Sequence, residues 1–200
     1  MLKLNSKANW SKSGVLYRAR QCPSPNQDAR PEAMTVDLVV VHGISLPPGE
    51  FRGAAIEKLF TNRLDGAAHP SFATLRGIRV SAHFLIRRGG ALIQFVACDR
   101  RAWHAGISAW DGRERCNDFS IGIELEGTDN QPYTTAQYRQ LVLLCVQIVG
   151  RYPVAHFVGH SDIAPGRKTD PGPAFRWELF RSMLDTRTRS ESIRHSLSRK

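Results

Sequence analysis

The fold of this 200-residue chain is decided by the stretch VDLVVVH, which runs from Val36 to His42. Its apolar, mostly β-branched side chains follow one another without alternation, which is typical of a strand buried on both faces of a sheet. A histidine at the end of such a strand stands where ligands often bind in open α/β sheets. The stretch therefore predicts a buried strand that presents His42 as a candidate ligand, with a simple hydrogen-bonded histidine as the alternative.

A second segment, GHSDIAPGRKTDPG, places His160 ten residues before the carboxylate of Asp170. Its two Pro-Gly pairs favour turns, so the loop can fold back and direct both side chains at one point. Zinc accepts nitrogen from histidine and oxygen from aspartate, and three protein ligands with an open position are typical of catalytic zinc sites. We therefore predict one Zn²⁺ per chain, held by His42, His160 and Asp170.

The pattern alone leaves more than one assignment of the ligands open. Asp170 precedes Pro171 and could serve only as a turn residue. Four further histidines compete for the role of ligand, namely His69, His83, His104 and His156. Of these, His83 and His104 could line a cleft, whereas packing within a strand is enough to explain His156.

Two glutamates are candidates for a general base. The stretch Ile121–Glu126 alternates, so its apolar residues should face the core while Glu124 and Glu126 point to the other face. A carboxylate there could take a proton from a water molecule beside a metal ion. The two glutamates fit this role equally well by pattern, and a solvated side chain is the alternative for each.

Lys168 is a candidate for electrostatic stabilisation of the reaction. It lies two residues before Asp170, and positions two apart in extended backbone face the same side. An ammonium group beside the metal could stabilise an oxyanion. From spacing alone, a surface lysine explains the residue as well.

Strand and helix patterns alternate along the rest of the chain. We predict a hairpin within residues 79–96, a strand over residues 154–159 and helices over residues 54–64, 134–150 and 177–183, the second of these opened by a capping box of Thr134 and Gln137. Such a mixture predicts a single α/β domain with a central mixed β-sheet flanked by helices. The zinc site would then lie in a cleft at one face of the sheet.

Both ends of the chain are expected to differ from the domain, which should span residues 13–183. Residues 1–12 are predicted to form an N-terminal arm, and the polar stretch 1–35 as a whole to be irregular. The tail 184–200 is rich in Ser and Arg and has no convincing apolar face. We therefore predict that this basic tail is disordered.

Composition limits the partners and the compartment. The net charge of +10 permits binding to anions. No basic patch interleaved with aromatic residues and no nucleic-acid-binding motif is present, so nucleic acid is not the expected partner. The apolar runs fall far short of the roughly 20 residues that span a membrane. The first residues do not resemble an export signal, which predicts a cytoplasmic protein.

Four cysteines, Cys22, Cys98, Cys116 and Cys145, form no CxxC pair. Two disulfides are the alternative, but a cytoplasmic chain is expected to keep its thiols reduced. The oligomeric state is not fixed by the sequence, and a monomer is the expectation.

Five motifs together resemble a known family. They are VVVHGISLPPGEF, RVSAHFLIRR, RAWHAGIS, RCNDFSIGIELEGTD and GHSDIAPGRKTDPGPAF. In this order they resemble the cytosolic AmpD-type N-acetylmuramoyl-L-alanine amidases, which belong to a zinc amidase group that includes peptidoglycan-recognition proteins. The resemblance runs from about Ser13 to about Met183.

The resemblance implies a mixed sheet flanked by helices, one zinc ion, and hydrolysis of the amide between the lactyl group of anhydro-N-acetylmuramic acid and L-alanine. The family's zinc ligands correspond to the three residues already named. Its acid/base glutamate corresponds to Glu124 rather than Glu126, and its electrostatic lysine to Lys168. The positions of Arg79, Trp103 and Arg115 match residues associated with the substrate cleft.

Two positions depart from the family pattern. An asparagine usually follows the first ligand, where this chain has Gly43. A tyrosine usually stands in the HPxF segment, where this chain has Ser71. Neither is a zinc ligand, so the departures are expected to affect rate or substrate preference rather than metal binding.

The function expected from the sequence is therefore that of a cytoplasmic zinc amidase acting on anhydromuropeptides in peptidoglycan recycling. By removing such fragments it would lower the muropeptides that induce β-lactamase. The main alternative is a non-catalytic module that binds or senses muropeptides. An amidase of the intact cell wall and a nucleic-acid-binding protein are the two less favoured hypotheses.

Overall fold

A mixed sheet of six strands forms the centre of the structure, a computed structural model that describes the backbone of residues 9–197 and the side chains of residues 9–190. The strands are β1 (Arg20–Gln21), β2 (Gln27–Ala29), β3 (Leu38–Ile44), β4 (Phe84–Ile86), β5 (Leu92–Gln94), β6 (Arg100–Ala102), β7 (Ala109–Trp110), β8 (Arg113–Glu114), β9 (Ser120–Glu126) and β10 (His156–Gly159). The helices are α1 (Ala55–Phe60), α2 (Thr135–Val149), α3 (His160–Ile163) and α4 (Trp177–Leu197), with short 3₁₀ helices at Pro70–Leu75 and Cys116–Asp118.

The strand order of the central sheet is β1-β5-β4-β9-β3-β10. Strands β4, β9, β3 and β10 are parallel neighbours, whereas β5 runs antiparallel to β4. The carboxyl ends of β3, β9 and β10 therefore meet at one edge of the sheet, where ligands bind in open α/β sheets. The other two pairs, β2 with β6 and β7 with β8, form small antiparallel sheets.

Strand β3 is buried on both faces, as the sequence predicts. Val39 and Val41 join the larger core, which α2 and α4 cover. Leu38 and Val40 point to the opposite face and pack in a smaller cluster with Val158. A third cluster lies between α1 and the strands β4 and β5. The expected α/β architecture, a mixed sheet between helices, is confirmed.

Helix α2 begins and ends where the sequence indicates. The Thr134 hydroxyl accepts a hydrogen bond from the Gln137 backbone N–H, and the Gln137 side chain accepts one from the Thr134 N–H. This capping box satisfies two N–H groups that the first turn leaves without partners. The predicted hairpin is also present, although its strands β4 and β5 are shorter than expected.

The N-terminal segment is more ordered than the irregular arm that the sequence predicts, and its packing begins before residue 13. Trp10 is buried and packs edge-on against Phe84 and Tyr152. Strand β1 adds an edge to the central sheet, and β2 pairs with β6. Both strands are largely exposed, so backbone hydrogen bonds hold them without an apolar pattern that the sequence could reveal. Residues 1–8 of the predicted arm lie outside the described residues.

Residues 184–197, which belong to the tail that the sequence predicts to be disordered, are helical in the structure. Helix α4 continues through Leu197, and Leu184 is buried in the larger core with only 8% of its surface exposed. No Gly or Pro follows Met183 to end the helix. A helix already held by packing extends at little cost, even where its sequence has no apolar stripe. Residues 198–200 lie outside the described part of the chain.

The helices and the cysteines bear on two expectations from composition. No helix within residues 9–197 is long and apolar enough to cross a membrane. All four cysteines are free thiols, and three of them are buried. Reduced cysteines stay a prediction.

Candidate metal centre

The structure brings together the three residues that the sequence proposed as ligands. His42 lies near the end of β3, and His160 follows β10 directly as the first residue of α3. The Nδ1 atoms of the two histidines are 3.0 Å apart, and each lies 3.2 Å from Oδ2 of Asp170. This group could hold a metal ion. It lies at the carboxyl edge of the sheet, on the face opposite α2.

The loop between His160 and Asp170 folds back as its turn residues predict. The Ser161 N–H donates to the Asp170 carbonyl at 3.0 Å, which ties the two ends of the loop together. Asp162 accepts a hydrogen bond from the Gly159 N–H at 2.7 Å. Asp170 is therefore held by the turn as well as directed at the histidines, so its two proposed roles coexist.

The chemistry of the donor atoms fits a bound cation. Nε2 of His160 lies 3.1 Å from the Ala105 carbonyl, which can only accept, so in the neutral imidazole Nε2 carries the ring proton and Nδ1 has a free lone pair. That lone pair faces the Asp170 carboxylate, and two acceptors in contact repel unless a cation lies between them. With Zn–N bonds of 2.0–2.1 Å, tetrahedral geometry separates ligand atoms by about 3.3 Å, close to the observed distances.

The environment favours the protonation states that bind metal. Burial lowers the pKa of His42 to about 4, although contact with Asp170 opposes this shift. The imidazole is therefore neutral at pH 7. For Asp170, burial raises the pKa, but contacts with His160 and His42 outweigh it and lower the pKa below the usual value. A neutral imidazole and a charged carboxylate are the forms that ligate zinc.

Glu124 lies beside the cluster on β9 and has an unusual environment. Its side chain is 8% exposed, and Oε2 is buried with no hydrogen-bond partner among the described residues. Burial raises its pKa well above the usual range, the Asp170 carboxylate raises it further, and Lys168 opposes both. A carboxyl group whose pKa is raised in this way is suited to acid/base catalysis.

Glu126 is buried on the same strand but is fully engaged. Its carboxylate accepts hydrogen bonds from the backbone N–H groups of Arg52 and Arg88 at 2.8 and 3.1 Å. It also forms an ion pair with Arg87 at 2.7 Å. The sequence pattern could not separate the two glutamates, whereas these contacts give Glu126 a structural role.

Lys168 is exposed, and its charge acts on the cluster through space. The ammonium opposes the rise in the pKa of Glu124. It also helps to lower the pKa of His42, for which burial is the main cause. Both effects place the ammonium within electrostatic reach of the two groups. The same-side placement of Lys168 and Asp170 that the spacing predicts stays a prediction.

The three residues expected at the substrate cleft remain predictions. Within residues 9–190, no hydrogen bond, ion pair or ring contact joins Arg79, Trp103 or Arg115 to the metal-binding cluster. Arg79 and Arg115 are exposed, and Arg115 contacts Asp118 at 3.3 Å. Trp103 is half-buried and directly precedes His104, which lies against the cluster.

His104 has a closer relation to the cluster than its sequence motif indicates. It is buried, and its Nδ1 lies 2.9 Å from Nε2 of His42, on the side of that ring away from Asp170. Its neighbour His83 is also buried but contacts no ligand, whereas His69 caps the 3₁₀ helix that begins at Pro70. The only signal for His104 was its position in RAWHAGIS, which does not distinguish a ligand from a supporting residue.

The structure gives a reason for one of the two departures from the family pattern. A Cβ atom added at Gly43 would overlap the hydroxyl of Tyr133, which donates to the Pro171 carbonyl. Tyr133 therefore occupies the space that a side chain at position 43 would need. Ser71 pairs with His69 at 2.7 Å in a helix cap and shows no contact with the cluster among the described residues.

Known proteins resemble this chain over most of its length. The profile of the family described as N-acetylmuramoyl-L-alanine amidase (Amidase_2) matches residues 32–173. The 1,6-anhydro-N-acetylmuramyl-L-alanine amidase AmpD of Enterobacter cloacae is 57% identical over 181 residues, which cover 90% of this chain and 97% of that protein.

Two solved structures extend the comparison. A crystal structure of a selenomethionine AmpD derivative is 56% identical with a TM-score of 0.85, covering 86% of this chain and 98% of the other. AmiD from E. coli, in complex with the substrate anhydro-N-acetylmuramic acid-L-Ala-D-gamma-Glu-L-Lys, is 32% identical with a TM-score of 0.56 and covers 77% of this chain and 60% of the other. This chain therefore belongs to the N-acetylmuramoyl-L-alanine amidase family of hydrolases.

Proposed function

We propose that this protein is a zinc-dependent amidase that cleaves the amide between the lactyl group of anhydro-N-acetylmuramic acid and L-alanine. The observation that carries the proposal is the convergence of His42 Nδ1, His160 Nδ1 and Asp170 Oδ2 within 3.2 Å. Beside them lies the buried Oε2 of Glu124, which has no hydrogen-bond partner in the described part of the chain. Three ligands of mixed nitrogen and oxygen type leave one position of a zinc ion open, as in catalytic sites. The proposed substrate is the one for which the AmpD relatives are named, 1,6-anhydro-N-acetylmuramyl-L-alanine.

Each residue of the site has a distinct role in this proposal. Bound zinc would supply Lewis-acid polarisation of the amide carbonyl and would make water more acidic. Glu124 accepts a proton from the attacking water and delivers it to the nitrogen of the departing L-alanine. The ammonium of Lys168 stabilises the negative charge that develops on the carbonyl oxygen. One proton thus passes from water to the leaving amine, and the C–N bond breaks.

The substrate would be bound by residues around the cluster. AmiD binds an anhydromuramoyl tripeptide whose stem contains a γ-linked glutamate. Arg79 and Arg115 are exposed cations that we assign to the carboxylates of such a stem peptide. Trp103 offers an apolar ring to the sugar or peptide. These three assignments rest on the family pattern and on the position of Trp103 next to His104.

The biological role that we propose is recycling of peptidoglycan fragments in the cytoplasm. Removal of the stem peptide would lower the pool of anhydromuropeptides, including those that induce β-lactamase in organisms with that circuit. The protein would act as a monomer with one zinc ion. Neither nucleic acid nor a membrane is needed as a partner.

The first test is mass spectrometry of a purified anhydromuropeptide incubated with the protein. We expect free anhydro sugar and a free peptide that begins with L-alanine. Product formation should stop when a chelator removes the metal and return when zinc is added. Intact substrate after incubation with a zinc-loaded protein would contradict the amidase proposal and would favour the non-catalytic binding module.

A further inference from the structure

We propose that His104 and Ala105 act as a positioning pair that fixes both histidine ligands with Nδ1 free for the metal. Asn117 in turn holds the pair in place. This inference rests on the proposed zinc function. It assigns a role to residues outside the group of three ligands, so it concerns the affinity and geometry of the metal site rather than the chemical step.

A chain of hydrogen bonds leads from Cys116 to His42. The Ser120 hydroxyl donates to the Cys116 carbonyl at 2.5 Å, so Ser120 Oγ has only its lone pairs left for Nε2 of His104, 3.2 Å away. Nε2 of His104 must therefore carry the ring proton. Its Nδ1 then accepts from Nε2–H of His42 at 2.9 Å. Nδ1 of His42 is left without a proton, facing Asp170.

The next residue along the chain, Ala105, orients the second histidine ligand. Its carbonyl accepts from Nε2–H of His160 at 3.1 Å, which leaves Nδ1 of His160 free. The guanidinium of Arg167 donates to the same carbonyl at 2.8 Å. Two successive residues, one through its side chain and the other through its backbone, thus set the ring orientation of both ligands. Outer partners of this kind determine the tautomer of metal-binding histidines.

Asn117 fixes the backbone of this pair. Its Oδ1 accepts hydrogen bonds from the N–H groups of both His104 and Ala105, at 3.1 and 2.8 Å. The Ala105 side chain is fully buried in the same cluster as Phe119 and Ile163. The pair therefore has little freedom to move away from the ligands.

Gly122 supplies the space that the His104 ring requires. It lies on β9, and a Cβ atom added there would overlap the His104 imidazole. Any side chain at this position would push the ring away from His42. Substitution of Gly122 thus offers a way to displace His104 without removing any polar group.

The test measures zinc affinity by competition with a chelator of known affinity. We expect His104→Ala, Asn117→Ala and Gly122→Ala each to weaken zinc binding by about 10- to 100-fold, the usual effect of removing an outer partner. His104→Asn keeps an acceptor near the position of Nδ1, and Asn117→Asp keeps the acceptor for both N–H groups. These two conservative variants should recover most of the affinity.

The control is His69→Asn, which alters a histidine that caps the 3₁₀ helix at Pro70 and shows no contact with the ligands or with His104 among the described residues. It should retain the wild-type affinity for zinc even if its melting temperature falls. Circular dichroism of the metal-free proteins reports whether each variant is folded. If His104→Ala does not fold, the zinc affinities of Asn117→Ala and Asn117→Asp test the positioning role instead.

Three outcomes separate this inference from the proposed function. A wild-type protein that binds no zinc would overturn the proposed function itself. A wild-type protein that binds zinc tightly, with the three disruptive variants within about threefold of it, would overturn the positioning role alone. Equal loss of affinity in His69→Asn would also overturn it, because a general loss of stability would then explain the effect.

Discussion

His42 and Glu124 face each other across two adjacent parallel strands, with their Cα atoms in register between β3 and β9. Their neighbours Val41 and Ile123 are paired in the same way and point to the opposite face, into the core under α2. The apolar register that builds the core therefore also places the candidate ligand beside the candidate base. A slip of one residue would move one of them to the wrong face.

Replacing Glu124 with glutamine tests its role as the base. The amide has nearly the same shape but cannot take a proton from water. We expect kcat to fall by about 10²- to 10⁴-fold, the usual contribution of general acid–base catalysis. Zinc content should not change, because Glu124 is not one of the three convergent ligands. Steady-state kinetics at full zinc occupancy provides the measurement, and unchanged turnover would remove Glu124 from the mechanism.

Glu126→Gln is the matched variant on the same strand and should behave in the opposite way. Its carboxylate accepts from two backbone N–H groups and pairs with Arg87, all in a largely buried setting. Loss of the charge should lower the free energy of unfolding by about 1–3 kcal/mol. The kcat of the folded protein should stay near the wild-type value. Urea denaturation and kinetics on the same sample test this, and a large loss of kcat without loss of stability would contradict it.

Asp170→Ala should remove the metal site while leaving the fold largely intact. The variant loses one of three ligands and leaves two histidine Nδ1 atoms 3.0 Å apart without the carboxylate. Loss of a residue that only supports a ligand lowers metal affinity by up to about 100-fold, so loss of the ligand itself should lower zinc affinity by more than that. Elemental analysis after dialysis gives the readout. Asp65→Ala, in an exposed turn, serves as the control and should keep its zinc; retention of zinc by Asp170→Ala would refute the ligand assignment.

The main elements and the metal cluster were predictable because their determinants are local. The uninterrupted apolar run at β3, the capping box at Thr134 and the turns on either side of Asp170 each follow from a few neighbouring residues. The short exposed strands β1 and β2 were not predictable, since backbone hydrogen bonds to distant strands hold them. The continuation of helix α4 beyond Met183 was missed for a similar reason, because packing of the first turns stabilises the helix and the tail sequence does not show that packing.

Within the site, the sequence identified side chains but not their partners. Glu124 and Glu126 alternate in the same way along the chain, and the contacts of Glu126 with Arg87 and with two backbone N–H groups distinguish them. The support of His42 by His104 joins residues 62 positions apart. Such a contact depends on the loop between β6 and β7, whose path no local pattern indicates.

Gly43 and Tyr133 should be energetically coupled. A Cβ atom at position 43 overlaps the Tyr133 hydroxyl, so Gly43→Ala should cost about 1–3 kcal/mol of stability through overpacking. Tyr133→Phe alone should cost about 1 kcal/mol, because it loses the hydrogen bond to the Pro171 carbonyl. In the double variant the removed hydroxyl makes room for the methyl group. The combined cost should therefore be smaller than the sum by at least about 0.5 kcal/mol, as measured by urea denaturation; strict additivity would show that the overlap is relieved elsewhere.

His83 should make the metal-free protein less stable in acid. Its Nδ1 accepts from the Gly122 N–H at 3.0 Å, and Nε2 lies 3.1 Å from the Arg100 carbonyl, so the buried ring has no place for a second proton. Burial lowers its pKa to about 3, and the charge of Arg30 adds to this effect.

Protonation of His83 differs between the folded and the unfolded chain. Above pH 6.5 the ring is neutral in both states and has no effect on the pH dependence of stability. As the pH falls from 6.5 towards 3, only the unfolded chain takes up the proton, so each pH unit lowers the free energy of unfolding by about 1.4 kcal/mol. His83→Asn keeps an acceptor for Gly122 but cannot be protonated. Its unfolding free energy, measured in urea with a chelator present, should therefore fall by about 2 kcal/mol less than that of the wild type between pH 7.5 and pH 5. Parallel curves for the two proteins would mean that His83 is protonated equally in both states, against the burial of its ring.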